Sequence, residues 1–381
     1  MEAVIIAAVR TPCGRSKKGA MASVRPEDLA ATAIRGAMET VPGLKGEDID
    51  DVLLGCAMPE GPQGLNIARV ALLRAGLPDS VPGATVNRFC SSGLQAVAQA
   101  AERIIAGGAD IIVAGGVESM SQVPMTGFKL SPHPGMAADW PEVYMPMGIT
   151  AERVAAKYGV TREDQDAFAA ESQRRAAKAM ADGVFKDEIV AVNTPKGMLE
   201  DDELPRPGTT AEGLGKLRAV FQQKGTVTAG NASLLTDGAA AVILASRARA
   251  EAEGWPILAI FRGFAVAGVA PEIMGIGPIA AVPKLLDRVG VKLEDVDHIE
   301  LNEAFASQSL AVIRELGLDT DKVNPTGGAI ALGHPLGATG AKLTATVVHA
   351  LQRNNLRYGM VTMCVGGGMG AAGLFERPNA G

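Results

Sequence analysis

No disulfide framework is written into this chain. Its 381 residues include only four cysteines, Cys13, Cys56, Cys90 and Cys364, and no two form a CxxC pair. That usage predicts reduced thiols in a cytosol-like compartment, hence a cytoplasmic location. Histidine is equally sparse, and its four residues never take zinc-ligand spacing, so no metal site is expected. A formal net charge of −6 excludes a general attraction to nucleic acid or to an anionic membrane. No apolar run approaches the roughly eighteen residues needed to cross a bilayer. The opening Met1-Glu-Ala-Val-Ile-Ile-Ala-Ala-Val-Arg10 is too short for a signal peptide and places an acid where such peptides are basic. It reads as a first buried strand. The terminal Asn379-Ala-Gly381 is no peroxisomal address, and nothing marks a mitochondrial leader. There is no P-loop, and the glycines after Cys364 make no dinucleotide fingerprint, because no helix follows them.

What is present is apolar bulk and glycine. Hydrophobic residues make up 47% of the chain, enough for a large core in two or three domains. The 46 glycines gather at strand ends, which suits close approach of backbone to a ligand. The chain also contains itself twice. Glu47-Asp-Ile-Asp-Asp-Val-Leu-Leu-Gly55 resembles Glu294-Asp-Val-Asp-His-Ile-Glu-Leu-Asn302, an offset of 294 − 47 = 247. Ser91-Ser-Gly93 matches Ala338-Thr-Gly340 at the same offset, 340 − 93 = 247. Each of these glycines opens an amphipathic helix that feeds a buried strand ending in glycines, Ile111–Gly116 and Met360–Gly368. Strands alternating with helices predict α/β architecture with parallel sheets. Two copies predict two similar layers packed on each other. Between the copies, about residues 120–235 carry Pro/Gly turn chemistry and a long helix, roughly Arg162–Asp182, with Thr161 as N-cap and Asp164 in its first turn. This stretch reads as an inserted subdomain.

The repeat turns scattered residues into a constellation. Under pseudo-twofold symmetry the helix-opening turns 87–93 and 334–340 approach one another. The first supplies Cys90, placed where helix N–H groups and the helix dipole are expected to favour a thiolate. The second supplies His334, flanked by glycine and proline where packing has little need of a histidine. Cys364 ends a buried strand and is able to face the same crevice. Asn302 sits at the strand-to-helix junction equivalent to Gly55, where an amide can orient water or donate to an oxyanion. Two thiols and an imidazole suit acyl transfer between thioesters combined with carbanion chemistry beside a carbonyl. Cys13 and Cys56 read as small core residues.

At these residues the chain closely resembles the thiolases, over essentially its full length. The matching motifs are Asn87-Arg-Phe-Cys-Ser-Ser-Gly-Leu-Gln-Ala96, Thr228-Ala-Gly-Asn-Ala-Ser233, Asn302-Glu-Ala-Phe-Ala306, Gly333-His-Pro-Leu-Gly337 and Cys364-Val-Gly-Gly-Gly-Met-Gly370. The resemblance implies the five-layered αβαβα thiolase fold. Its parts would be an N-terminal core half 1–119 joined by 236–256, an inserted CoA-binding loop domain 120–235, and a C-terminal core half 257–381. It implies a ping-pong reaction in which His334 deprotonates Cys90 and Cys90 attacks a 3-ketoacyl-CoA. Cys364 then protonates the leaving acetyl-CoA carbanion and later deprotonates the incoming CoA. The N–H groups of Cys90 and Gly366 would form one oxyanion hole, and His334 with a water on Asn302 the other. Arg206, Ser233, Met147 and Phe305 would contact CoA, which is a substrate and not a resident cofactor.

Within the thiolases, the signature around Cys90, Pro146 in place of a histidine before Met147-Gly148, and Met274-Gly-Ile-Gly-Pro278 look more like degradative 3-ketoacyl-CoA thiolases. Biosynthetic acetoacetyl-CoA thiolases are the alternative. The decarboxylating ketoacyl synthases use a second histidine where this chain has Asn302. A non-catalytic acyl-CoA binding protein would have no need of all three of Cys90, His334 and Cys364. The family resemblance implies a homodimer or homotetramer, and the apolar segment Val117–Met125 is a candidate for pairing across the twofold axis.

Overall fold

Residues 1–378 are described by a computed structural model of the chain, and the terminal Asn379-Ala-Gly381 lies outside the described residues. The first half comprises β1 (Ala3–Arg10), the short β2 (Gly14–Arg15), α1 (Pro26–Glu39), β3 (Asp51–Gly55), α2 (Ile67–Ala75), β4 (Gly83–Val86), α3 (Ser92–Ile105) and β5 (Ile111–Ser119). The middle segment holds α4 (Pro134–Asp139), α5 (Met147–Tyr158), α6 (Arg162–Ala181), the hairpin β6 (Val192–Thr194) and β7 (Gly197–Leu199), and α7 (Ala211–Gly215). β8 (Thr236–Ser246) then returns between β1 and β5, followed by α8 (Arg247–Glu253). The second half runs β9 (Ala259–Gly268), α9 (Gly277–Val289), β10 (His298–Leu301), α10 (Ala306–Leu316), α11 (Ala329–Leu332), α12 (Leu336–Arg353), β11 (Tyr358–Val365) and β12 (Met369–Glu376).

The internal repeat is visible in the fold. β3 and β10 begin 298 − 51 = 247 residues apart, and β5 and β11 begin 358 − 111 = 247 apart. Strand side chains alternate between faces, and this alternation sorts the core into layers. Ile111, Val113 and Val52 pack with α1 and α2 on one outer side. Ile112 and Ala114 face a central layer of α3 and α12, which Val361, Met363 and Phe375 cover from the other half. Met360, Ile299 and Leu374 pack with α9 and α10 on the far side. The order is therefore helices, sheet, helices, sheet, helices. One detail departs from two separate layers: the half-sheets join edge to edge, with the order β10-β11-β12-β9-β1-β8-β5-β3-β4. The join is narrow. Only Val4–Ile260 and Ile5–Ala259 pair between β1 and β9, so the sheet folds over there and encloses the central helices.

α12 is the most buried of the long helices, with every residue from Leu336 to Val348 inside the protein. A helix covered all round has no polar face to present, which explains its run of Ala, Thr, Leu and Val. Its start crosses the start of α3 at two glycines related by the repeat. A Cβ on Gly93 would lie 2.7 Å from the Ala341 backbone nitrogen, and one on Gly340 would lie 2.2 Å from that of Leu94. The repeated glycine is thus a packing requirement, and it brings the two functional turns together. α6 starts as its sequence predicts: Thr161 Oγ1 accepts the Asp164 N–H at 3.1 Å and Asp164 Oδ2 accepts the Thr161 N–H at 3.3 Å.

Only the first part of the Val117–Met125 segment is withdrawn as a pairing surface; Pro124 and Met125 stay exposed. Val117, Glu118 and Ser119 are buried and paired with β8 inside the sheet, so they offer no edge to a second copy. The open strand is β4, which pairs only with β3 and keeps Ala84 exposed.

Candidate active site

Cys90 lies in a single 3₁₀ turn, Phe89–Ser91, between β4 and α3. The turn is strained: Phe89 has φ +43°, a left-handed conformation that costs an L side chain about 1–2 kcal/mol. Neighbouring side chains hold it in place. Asn87 Oδ1 accepts the Phe89 N–H at 2.8 Å, while Ser92 Oγ accepts the Arg88 N–H at 2.8 Å and donates to the Phe89 carbonyl at 2.7 Å. Asn87 Nδ2 donates to the Ala57 carbonyl at 3.1 Å, tying the turn to the end of β3. The result places the Cys90 sulfur within reach of its own N–H and that of Gly366. Gly366 belongs to a three-glycine turn between β11 and β12, in which Gly367 and Gly368 have φ +81° and +86°. This turn explains the glycines without a dinucleotide.

His334 follows α11 through Gly333, whose φ of +84° and contact with Leu204 and Thr236 admit no side chain. Thr236 Oγ1 accepts the His334 N–H at 3.1 Å. The ring is held at both nitrogens, with Nδ1 2.6 Å from Thr339 Oγ1 and Nε2 3.4 Å from Asn302 Nδ2. Asn302 is buried at the end of β10, and its Oδ1 has no hydrogen-bond partner among the described residues. Cys364, buried on β11, packs with Met274 and Ala304 and lies close enough to Cys90 to feel its charge.

Electrostatics correct one expectation. Burial pushes the Cys90 thiol up to about 11, although the two N–H groups favour the thiolate. Desolvation of a fully buried sulfur outweighs the helix start. Burial, with the nearby Lys342 charge, pushes His334 down to about 3. Cys364 is raised by burial and by proximity to Cys90. Burial thus favours the uncharged forms of Cys90, Cys364 and His334 in the resting site.

Over Cys90 opens a cavity of about 210 Å³ lined by Phe89, Met125, Tyr144, Met145, Met147 and Leu336, with Gly366 at its base. Ser233 and Phe305 meet beside it, because Ala232 bridges Phe305 and the Ser233 N–H donates to the Ala304 carbonyl at 3.0 Å. Met147 and Phe305 both pack toward Cys364. Arg206 lies apart, exposed on a loop whose backbone N–H donates to Gln173 on α6 at 2.7 Å.

Comparison with known proteins gives the family. The family description "Thiolase, N-terminal domain" matches residues 3–248, and "Thiolase, C-terminal domain" matches residues 255–377. The chain belongs to the thiolase family. It is 55% identical to a 3-ketoacyl-CoA thiolase of Bacillus subtilis, across 98% of this chain and 99% of that one. It is 48% identical to an acetyl-CoA acetyltransferase of Chromobacterium violaceum, across 99% and 100% of the two chains. Among solved structures it superposes on human mitochondrial 3-ketoacyl-CoA thiolase in complex with CoA with a TM-score of 0.91 and 39% identity, covering 99% and 98%. The fold is the thiolase fold, and the protein is a member of an acyltransferase family.

Several residues of this thiolase's site escaped the sequence reading. Thr339 was within reach, since it repeats Ser92 (339 − 92 = 247); its hydroxyl bonds His334 itself, whereas that of Ser92 bonds the backbone of Arg88 and Phe89 ahead of Cys90. Glu118, buried at the end of β5, accepts from the N–H groups of Ala57, Met58 and Gly337 and from Gln63 at 2.7–3.2 Å. It joins the two halves behind Cys90, and burial raises its carboxyl above the ordinary range. Phe221 sets its ring edge-on to Phe305 at 6.2 Å. No local pattern marks Glu118 or Phe221, because their partners are distant in sequence.

Proposed function

We propose that this protein cleaves 3-ketoacyl-CoA with CoA to give acetyl-CoA and a shortened acyl-CoA, through an acyl group on Cys90, in fatty-acid breakdown. The observation that supports the proposal is a set of buried groups where the two halves meet: Cys90 beside the Gly366 N–H and near Cys364, His334 against Asn302, and an open apolar cavity lined by Cys90 and Gly366. With Nδ1–H donated to Thr339, His334 Nε2 carries the lone pair, facing Asn302 Nδ2 at 3.4 Å, that takes the Cys90 proton as the sulfur attacks the keto carbon. The N–H groups of Cys90 and Gly366 stabilise the resulting oxyanion, while His334 Nε2–H and a water on the unpartnered Asn302 Oδ1 stabilise the enolate oxygen of the departing acetyl-CoA. The C2–C3 bond breaks, its electron pair passing to the acetyl-CoA carbon, and Cys364 supplies the proton. CoA then gives its proton to Cys364 and takes the acyl group, whose oxygen rests against the N–H groups of Cys90 and Gly366.

In this reading CoA is a substrate held by the inserted domain, residues 120–235, with nothing permanently bound. Ser233, Met147 and Phe305 flank its path to Cys90, and Arg206 meets the nucleotide end. The methionine-lined cavity favours the degradative class, because unbranched thioethers adapt to acyl chains of different length. The similarity to an acetyl-CoA acetyltransferase keeps acetyl-CoA condensation as the second reading. The deciding assay is CoA-dependent loss of 3-ketoacyl-CoA over chains of four to sixteen carbons, with Cys90→Ala as control. Turnover beyond four carbons, absent in the control, is expected. Activity confined to acetoacetyl-CoA moves the assignment to condensation.

The four free cysteines suit a reducing, cytoplasmic setting. The open edge of β4 suits a dimer in which that strand pairs with its copy. A monomer in light scattering at micromolar concentration would rule out the dimer.

A further inference from the structure

Behind His334 lies a buried charge cluster that the reaction above does not use. Lys342, on α12, is buried, and its Nζ donates to the carbonyls of Gly333 at 3.2 Å and Leu332 at 3.4 Å. These are the last two carbonyls before His334 and the C-terminal end of α11, where a cation is favoured. Further back, Arg10 on β1 is bonded through Nε to Glu188 at 2.6 Å and through both terminal nitrogens to Asp202 at 2.8 and 2.9 Å. Two cations thus face two carboxylates. The carboxylates are engaged by Arg10, which leaves Lys342 as the cation bonded to the catalytic loop. A buried lysine with no carboxylate bonded to it is costly, and a neutral residue of similar length would fill the space.

We propose that Lys342 is a positioning residue for His334: its buried ammonium fixes the loop that presents the imidazole and disfavours a lasting positive charge on the ring. The inference rests on His334 acting as the base toward Cys90. When the Cys90 S–H bond breaks and Nε2–H forms, the imidazolium stands close to a second cation in a buried site. It therefore returns its proton to the Cys90 sulfur as soon as the acyl group leaves for CoA, and the cycle closes without net charge. The ionisable groups around the pair are Cys90 and Glu118 on the cavity side, and Arg10, Asp202, Glu188 and Cys13 behind Lys342. Among them, Lys342 is the charge that acts on His334, in the same direction as burial.

The test compares Lys342→Arg, Lys342→Gln and Lys342→Met in the full-length protein. Single-turnover acylation of Cys90 from an acyl-CoA is followed against pH, alongside thermal midpoints. Glutamine keeps a donor for the carbonyls and removes the charge; methionine removes both. In the glutamine and methionine variants the acid limb of the acylation profile should move upward by about one unit, which lowers the rate on that limb about tenfold. The arginine variant should keep the wild-type limb. A folded glutamine variant with wild-type rate and limb overturns the proposal, as does an arginine variant whose limb moves. If the methionine variant fails to fold, the glutamine variant decides alone. Absence of acylation in the wild-type protein would instead mean that the thiolase reading of the site has failed.

Discussion

Cys90→Ser is expected to abolish acyl-enzyme formation, with a loss of about 10⁴-fold or more, while the fold survives. The substitution keeps the size of the side chain and both N–H groups that face it. What it removes is a nucleophile that the neutral His334 is able to deprotonate. A hydroxyl is far less acidic than even a buried thiol, so the proton transfer that opens the reaction, already uphill in the resting site, becomes far more so. The packing around Cys90, formed by Ala57, Met120 and Leu336, is apolar, and a serine there costs about 1–3 kcal/mol of stability. Mass spectrometry of the intact protein after exposure to acyl-CoA measures the first effect, and a denaturant titration the second. The neutral resting site adds a pH signature. With the thiol near 11 and the imidazole near 3, inactivation of the wild type by iodoacetamide should keep rising with pH above 8 and level only toward 11. A plateau near neutrality would mean a standing thiolate–imidazolium pair. The same shift has a stability sign. The unfolded chain releases this thiol proton near 9.0, before the folded one does, so the contribution is present below that value and fades as pH rises toward 11.

The parts of this site that were legible in the sequence share one property: each is written into a local pattern or into the repeat. Cys90 and His334 announce themselves because glycine-flanked turns open helices at positions related by 247 residues, and Gly93 and Gly340 meet where those helices cross. Cys364 and Gly366 are legible as the end of a buried strand and its turn. The layers follow from strands buried on both faces. The ionisation state of Cys90 was not legible, because a helix start argues for a thiolate, whereas burial beneath Leu336 and Met120 depends on segments far away in sequence. The same holds for Glu118, whose four donors come from three separate stretches, and for Lys342, which looks like one more polar position on a helix until α12 proves to be covered all round. Val117–Ser119 misled for a related reason. Val117 reads equally as part of an interface or of a central strand, and pairing of Val117–Ser119 with β8 decides for the strand at those residues.

Cys364→Ala is expected to separate the two halves of the reaction. Acylation of Cys90 from an acyl-CoA should persist at a reduced rate, because Cys90, His334 and the Gly366 N–H remain. Hydrogen exchange at C2 of acetyl-CoA should disappear, and thiolysis of 3-ketoacyl-CoA should fall about 10²–10⁴-fold, the range for loss of a positioned acid or base. The measurement is deuterium uptake at C2 from heavy water, set beside burst release of CoA. Equal and complete loss of both would show that Cys364 is needed for the shape of the site and not for the proton. The physical case for the split lies in the thiol's environment. A carbanion leaving the keto carbon needs a donor that still holds its proton at neutral pH. Cys364 holds its proton because burial and the nearby Cys90 both disfavour its thiolate. The adjacent Cys90 has by then become a thioester and carries no charge, so the thiolate left on Cys364 after donation no longer faces a second one. The order of the two thiols in the cycle follows: Cys90 must be acylated before Cys364 gives up its proton, and CoA must restore that proton before the acyl group departs.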